Sequence, residues 1–338
     1  MIGMGKAYRE AALRASRGQG RVPPNVRVLI DTDPGIDDAM ALMLALRSPE
    51  LEVAGITIVH GNVDVERGTA NAFKVLDLMG RRDVPVAPGA VAPLLREVRT
   101  AEIVHGQDGL ADLVTTPVDV EPRAIAGPAF IVETLESASD PLTLVTLGPL
   151  TNVAIALSFA PHIVERIERI VSMGGAVRSE GNATPAAEFN VLADPEAAEI
   201  VLRSAAPVTL VPLDVTMRVI FREEWARRLR DSEDPVDRFA GDLAGFVIRV
   251  YREYYRIDGM ALHDPLAMAV AVDPSLVETQ ALFVTVDRGE GITTGKTVAD
   301  FWHIPEPWGQ PNADVALDVD ADRFLALFFE RLFGRYPP

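Results

Sequence analysis

Four aspartates fall within eight residues directly after a short apolar run, and no other stretch constrains this chain as strongly. Val26-Arg27-Val28-Leu29-Ile30 reads as a buried strand, and the apolar spacing from Ala39 to Leu46 reads as a helix. Between them Pro34-Gly35 forces a tight turn. Asp31, Asp33, Asp37 and Asp38 therefore sit at the carboxyl end of a strand, where open α/β sheets bind ligands. Charges of one sign held so close repel one another. Exposure to water or a hard cation must offset that repulsion, and the positive end of the helix beginning near Asp37 helps in either case.

Composition narrows the field. The 338 residues suffice for one large α/β domain or two small ones, and a 48% hydrophobic share supplies a full core. No run of 18 apolar residues occurs, so no membrane span is expected. A net charge of −17 argues against nucleic acid and anionic lipid as partners, and disfavours polyphosphate substrates unless a local basic cradle exists. The absence of cysteine excludes disulfides, iron–sulfur clusters and thiol nucleophiles. Cysteine usage leaves the compartment open. Residues 1–25 stand apart, with Lys6, Arg9, Arg14, Arg17 and Arg21 among alanines and Glu10 the only acid. That composition is similar to an organelle transit peptide but lacks the apolar segment of a secretory signal. We read residues 1–25 as a flexible, fraying helical tail and residues 26–338 as a single domain.

A second strand, Leu51 to Val59, ends at His60-Gly61-Asn62, and a helix carrying Ala70, Phe73, Val75 and Leu76 stops at Gly80. Val84-Pro85-Val86 is a short strand. Residues 88–124 form a long Pro-, Gly- and charge-rich connection with His105-Gly106-Gln107-Asp108-Gly109-Leu110 at its centre, and connections of that length are functional or mobile. Strand Leu142–Leu147 leads through Gly148-Pro149-Leu150-Thr151-Asn152 into a helix. Strand Ile170–Met173 opens at Gly174-Gly175 into a polar loop running to Asn190. Asp194-Pro195-Glu196 starts a helix with an Asp cap and Pro in the first turn, ahead of strand Val208–Pro212. Residues 222–258 are mainly helical, His263-Asp264-Pro265 starts another helix, and the chain closes with mixed strands and a helix from Asp320 to Phe333. Strands alternating with helices over the first 215 residues predict an α/β fold: a mainly parallel, doubly wound Rossmann-like sheet with extra C-terminal helices and strands.

Right-handed crossovers place the carboxyl ends of parallel strands on one edge. The acidic turn, Asn62, Thr151-Asn152, the Glu188–Asn190 loop and the later His263-Asp264 are thus candidates to converge. Oxygen donors with no Cys and few His favour Ca²⁺ or Mg²⁺ over zinc, and their number leans toward the larger Ca²⁺.

Asp31-Thr32-Asp33-Pro34-Gly35-Ile36-Asp37-Asp38 resembles the N-terminal signature of the inosine–uridine-preferring nucleoside hydrolases. The resemblance continues in order through Gly61-Asn62, Gly148-Pro149-Leu150-Thr151-Asn152, Met173-Gly174-Gly175, Gly181–Asn190, Asp194–Ala198 and His263-Asp264-Pro265, spanning about residues 26 to 335. It implies a catalytic domain that hydrolyses the N-glycosidic bond of ribonucleosides to free base and ribose with a tightly bound Ca²⁺. Carried over by position, Asp33, Asp38, Asp264 and the Leu147 carbonyl would hold the metal. Asp37, Asn62, Asn182, Glu188 and Asn190 would hold the ribose hydroxyls, Asp33 would be the general base, and His263 would protonate the leaving base. The resemblance also implies a cytoplasmic homodimer or homotetramer, with base preference set by residues 88–112 and 220–262.

The chemistry suits these residue types. Breaking a ribosyl C–N bond develops oxocarbenium-like positive charge, which carboxylates and amide oxygens stabilise. The base leaves more readily when protonated, a task for a His titrating near neutrality. More ordinary roles compete at several positions. Asp31 is expected to support Asp33 through hydrogen bonds, Asn152 to cap a helix, and Asp264 to act as an N-cap as well as a ligand. His105 reaches either the base or nothing, and Tyr251 and Tyr255, one helical turn apart, are expected to pack in the core or line the base pocket. Two other classes remain open at this stage. One is a haloacid-dehalogenase-type Mg²⁺ phosphatase using Asp31 as phosphoryl acceptor; the other is a non-catalytic nucleoside- or sugar-binding protein.

Overall fold

The computed structural model describes residues 26–113, 119–302 and 309–335. The tail expected over residues 1–25, and Trp308, lie outside them. Nine strands form one sheet: β1 (Val26–Thr32), β2 (Leu51–Ile58), β3 (Val86–Pro88), β4 (Leu142–Thr146), β5 (Ile167–Met173), β6 (Val208–Val211), β9 (Val277–Val286), β10 (Thr297–Asp300) and β11 (Ala313–Val319). Two short strands, β7 (Ile220–Phe221) and β8 (Met260–Ala261), pair antiparallel apart from it. The sheet order is β10-β9-β11-β6-β5-β4-β1-β2-β3. From β3 across to β11 every pairing is parallel, and β9 and β10 close that side antiparallel. The expected mainly parallel, doubly wound sheet is therefore the observed one.

The topology positions the site. The chain runs outward from β1 through β2 to β3, then returns to place β4 on the other side of β1. The reversal leaves a crevice at the carboxyl ends of β1 and β4, the location at which doubly wound sheets bind ligands. Asp31 and Thr32 end β1, and Leu147 follows β4 immediately.

The helix Ile36–Arg47 is buried along its whole length from Ile36 through Ala45, with apolar side chains on all sides. The helix His263–Val272, also buried from His263 to Ala271, packs against it. Each fully buried Leu, Ile or Met contributes about 1.5–3 kcal/mol. The two helices thus anchor the acidic turn and the His263-Asp264 pair in fixed relation. Their first turns carry three carboxylates, Asp37, Asp38 and Asp264, which lie together.

Several local expectations are corrected. Asn152 caps nothing: the helix Thr151–Phe159 has no side-chain cap. The Asn152 amide Nδ2 donates instead to Asp31 Oδ1 at 2.8 Å and to the Ile58 carbonyl at 3.0 Å, and its Oδ1 accepts from the Ala90 N–H at 2.8 Å. Asp264 is not an N-cap either, because the helix begins one residue before it with Leu262 as the flanking residue. The connection over residues 88–112 contains a short helix, Glu102–His105, whose His105 is buried. The polar loop after Gly174-Gly175 ends in a short helix, Phe189–Ala193, that sequence periodicity is too brief to show. Asp194 does cap the helix Pro195–Leu202, accepting from Ala197 N–H at 3.0 Å.

Candidate active site

Local geometry begins with Asp38. It is the third helical residue after Gly35, and its Oδ2 accepts the Gly35 N–H at 3.0 Å, the back-reaching half of a capping box. The same oxygen accepts from Asn62 Nδ2 at 2.9 Å, and Oδ1 accepts from the Thr32 hydroxyl at 2.5 Å. Asn62 also ties down Asp33, whose Oδ2 accepts the Asn62 N–H at 2.6 Å. The other Asp33 oxygen, Oδ1, is buried and has no hydrogen-bond partner among the described residues. The sequence leads to the expectation that Asp31 supports Asp33 through hydrogen bonds, but the partners of Asp31 are elsewhere. Its Oδ1 accepts from Thr57 Oγ1 at 2.5 Å and from Asn152, while Oδ2 is buried without a partner.

Oxygen atoms of Asp37, Asp38 and Asp264 lie within 4.8 Å of one another, all three residues buried. The Asp37 and Asp264 carboxyls are close enough to share a proton. Burial raises every one of these acids. Asp31 and Asp37 rise to about 7, Asp37 further pushed by the charge of Asp38. Asp33 rises well above the carboxylate range through burial and then the charges of Asp38 and Asp37. Asp264 rises through burial and then the charges of Asp37, Asp38 and Asp33. The carboxylates of residues 33, 37, 38 and 264 thus form one electrostatic unit. A set of buried oxygen donors, one of them without a hydrogen-bond partner among the described residues, fits a hard divalent cation.

Asp37 and Asp264 line a cavity of about 450 Å³, while Asp33 and Asp38 are fully buried and are not among its lining residues. Asp37, Asn62, Leu147, Asn182, Glu188, Asn190, His263 and Asp264 all line it, together with His105, Tyr251 and Tyr255. Both tyrosines therefore face the cavity, with ring centroids 5.0 Å apart. Glu188 heads the Phe189–Ala193 helix: Oε1 accepts the Asn190 N–H at 2.8 Å, and Oε2 accepts the Gly175 and Val191 N–H groups at 2.9 and 3.1 Å. Asn190 Nδ2 donates to the Leu147 carbonyl at 2.7 Å, so its Oδ1 remains for a ligand. Asn182 Oδ1 accepts the Phe189 N–H at 3.0 Å, and the Asn182 carbonyl accepts the Tyr255 hydroxyl at 3.1 Å.

The far wall is aromatic and imidazole-rich. His105 Nδ1 accepts the Ile36 N–H at 3.0 Å, which makes Nε2 the protonated nitrogen of the neutral ring. His263 lies between two hydroxyls, with Nδ1 2.7 Å from Thr216 Oγ1 and Nε2 3.1 Å from Tyr251 Oη. Burial lowers His263 to about 4 and, with the charge of His263 adding to it, His105 to about 3. The expectation that His263 titrates near neutrality is overturned, because a ring so removed from water disfavours its charged form. Burial lifts Tyr251 well above an ordinary phenol, and the charges of Asp37 and Asp264 add to that.

Thr216 and Thr32 are absent from the sequence-derived set, as are Met173, Phe189 and Met260 on the cavity wall. Thr216 had one usable signal, its place just beyond the carboxyl end of β6. The phosphatase reading fails on Asp31, which is committed to Thr57 and Asn152 and does not line the cavity.

Residues 28–326 match the family model for the inosine-uridine preferring nucleoside hydrolase. The chain is 41% identical over 306 residues, 90% of its length, to the pyrimidine-specific ribonucleoside hydrolase RihA of Escherichia coli O9:H4, covering 97% of that protein. The corresponding enzyme of Citrobacter koseri is 40% identical over the same shares. Among solved structures, a plant nucleoside hydrolase, the PpNRh1 enzyme, superposes with a TM-score of 0.88 at 38% identity, covering 92% of this chain and all of that one. The purine-preferring ribonucleoside hydrolase from Gardnerella vaginalis gives 0.85 at 36% identity, over 91% of this chain and 98% of that one. The fold and site are those of a doubly wound α/β protein with a buried acidic cavity at the carboxyl edge of its sheet, and the chain belongs to the inosine–uridine preferring nucleoside hydrolase family. It is accordingly a hydrolase acting on N-glycosyl compounds.

Proposed function

We propose that this chain hydrolyses the N-glycosidic bond of ribonucleosides, with ribose held against the acidic floor and the base against the aromatic wall. The observation that carries this reading is one cavity lined both by carboxylates and amides and by aromatic and imidazole rings. Asp37, Asn62, Asn182, Glu188 and Asn190 present oxygens and amides for sugar hydroxyls. Tyr251, Tyr255, Phe189 and His105 offer ring faces and donors for a planar heterocycle. A nucleoside carries no charge, so the acidic surface does not oppose its entry.

The donor set fits Ca²⁺, which Asp33, Asp38, Asp264 and the Leu147 carbonyl would hold, with Asp37 beside Asp38 and Asp264. When bound, such an ion supplies positive charge that keeps the carboxylates ionised and orients water and the ribose diol. Asp33 accepts the proton of the attacking water through its unpartnered Oδ1. Asn62 holds Asp33 and Asp38 in register. The carboxylates and the Asn190 amide oxygen stabilise the positive charge that develops on the ribosyl ring. Tyr251, backed by His263, faces the departing base and supplies its proton. The base-facing wall comes from Arg99–His105 and Val247–Ala261, so base preference resides there.

The same reading includes a single catalytic domain over residues 26–338, a homodimer or homotetramer, and a cytoplasmic location. Light scattering of the purified protein checks the assembly. The decisive experiment is a reducing-sugar assay over a panel of ribonucleosides, with bound metal measured alongside. Release of ribose and base supports the reading. Tight nucleoside binding without turnover would establish a binding protein instead.

A further inference from the structure

We propose that Thr216 is a positioning residue: its buried hydroxyl donates to His263 Nδ1 and so sets the direction of a hydrogen-bond chain that leaves the Tyr251 O–H aimed at the leaving base. The inference rests on the ribonucleoside reading of the cavity. Thr216 ends the short helix Leu213–Thr216 beyond β6 and is 0% exposed. Its hydroxyl lies 2.7 Å from His263 Nδ1, and His263 Nε2 lies 3.1 Å from Tyr251 Oη.

A neutral imidazole has one donor nitrogen and one acceptor nitrogen, so the chain of three groups can run in two directions. If Nδ1 carries the proton, Thr216 accepts it, and the buried Thr216 O–H has no acceptor among the described residues. Tyr251 then donates inward to Nε2 and turns only lone pairs toward the cavity. If Thr216 donates to Nδ1, every one of its polar atoms near the ring is used, Nε2–H donates to Tyr251 Oη, and the phenol proton is released for the cavity. Burial penalises the first arrangement, since an unpaired donor loses its water and gains nothing. The second is also the one that serves the reaction.

The step balances. The C–N electron pair passes to the base nitrogen, the Tyr251 O–H bond breaks and a base N–H bond forms. The resulting phenolate accepts the His263 Nε2–H. On the opposite side of the sugar, water oxygen bonds to the anomeric carbon and its proton passes to Asp33. A proton returns from Asp33 to Tyr251 through solvent, giving ribose and neutral base from nucleoside and water.

Thr216→Val removes the hydroxyl at nearly constant volume, and Thr216→Ser keeps it. Each variant is assayed on ribonucleosides and on 4-nitrophenyl riboside, whose nitrophenolate departs without needing a proton. Thr216→Val is expected to lower kcat on nucleosides roughly 10- to 10²-fold more than on the nitrophenyl substrate, with KM little changed and Thr216→Ser restoring the ratio. Equal losses on both substrates, or none, overturn the proposal. Imidazole ¹⁵N spectra, with His263→Asn as the blank, read the tautomer without turnover. An Nε2–H ring at His263 in the unmutated protein, lost in Thr216→Val, supports the proposal, and an Nδ1–H ring in the unmutated protein overturns it. A protein that cleaves no nucleoside would defeat the functional reading, while the spectra would still decide the tautomer.

Discussion

Gly61 lies directly against the Asp33 carboxylate, so close that a β-carbon at this position would overlap Oδ2. Gly148 presses on the other side, where a β-carbon would stand 2.6 Å from Oδ1. Asp33 is thus clamped between two backbone segments, one following β2 and one following β4, and has no room to change rotamer. Gly61→Ala is expected to push Asp33 aside, lowering stability by about 1–3 kcal/mol through overpacking. A displacement near 1 Å in a catalytic carboxylate also reduces turnover by about 10²-fold. Thermal unfolding and steady-state kinetics of the one variant check both, and unchanged kcat would show that the clamp is not needed.

Asp33→Asn tests the carboxylate itself. The amide keeps the size and can still accept the Asn62 N–H, so the variant is expected to fold. It cannot take a proton from water and is a weaker metal ligand. We expect a loss of at least ~10³-fold in kcat. Near-normal nucleoside turnover would remove Asp33 from the role of base.

Metal dependence carries a pH signature. Asp31 and Asp37 stand at about 7 in the fold, against an ordinary value of 3.8. Between those limits the folded chain holds protons that the unfolded chain has released, so the metal-free protein loses stability as pH rises from about 4 through about 7. A bound cation requires the ionised carboxylates, and its binding expels the protons held within the cluster. The gain in Tm on adding Ca²⁺ to chelator-stripped protein is therefore expected to grow across that window. Activity should vanish with exhaustive chelation and return with Ca²⁺. A calcium-induced Tm gain that is flat with pH would contradict the buried, protonated cluster.

Asn152 joins β1, the end of β2 and the loop at Ala90 through one fully buried amide. Asn152→Ala removes one of the two donors to Asp31 Oδ1, Thr57 keeping the other, and takes the amide partner from two backbone groups. The expected cost is roughly 2–3 kcal/mol, read as a lower midpoint in urea at unchanged slope. Wild-type stability would mean that water replaces the amide.

Much of this was legible in the chain because it depends on neighbours. The apolar run before Asp31, the Pro34-Gly35 turn and the Asp194-Pro195 helix start are local signals, and each appears in the structure where the sequence puts it. Asp264 and Asn152 were misjudged for the same reason. Each lies where a cap is locally favourable, yet each is used by a distant partner instead. Tyr251 and Tyr255 have a spacing common to core and pocket residues, and only the packing of their helix end against His263 and Asn182 separates the two.

The sequence by itself determined the order of strands and helices, the acidic turn and the oxygen-rich donor chemistry, since these follow from residue type and short-range periodicity. It determined the family through an ordered series of motifs. The resemblance implied that Asp264 joins the acidic turn, but the tertiary structure alone decided that Asp33 is gripped by two glycines and that Thr216 stands behind His263. Those relations join segments that are close in space but remote along the chain. Long-range packing of two buried helices on one sheet edge sets such distances, and a local pattern of side chains does not encode them.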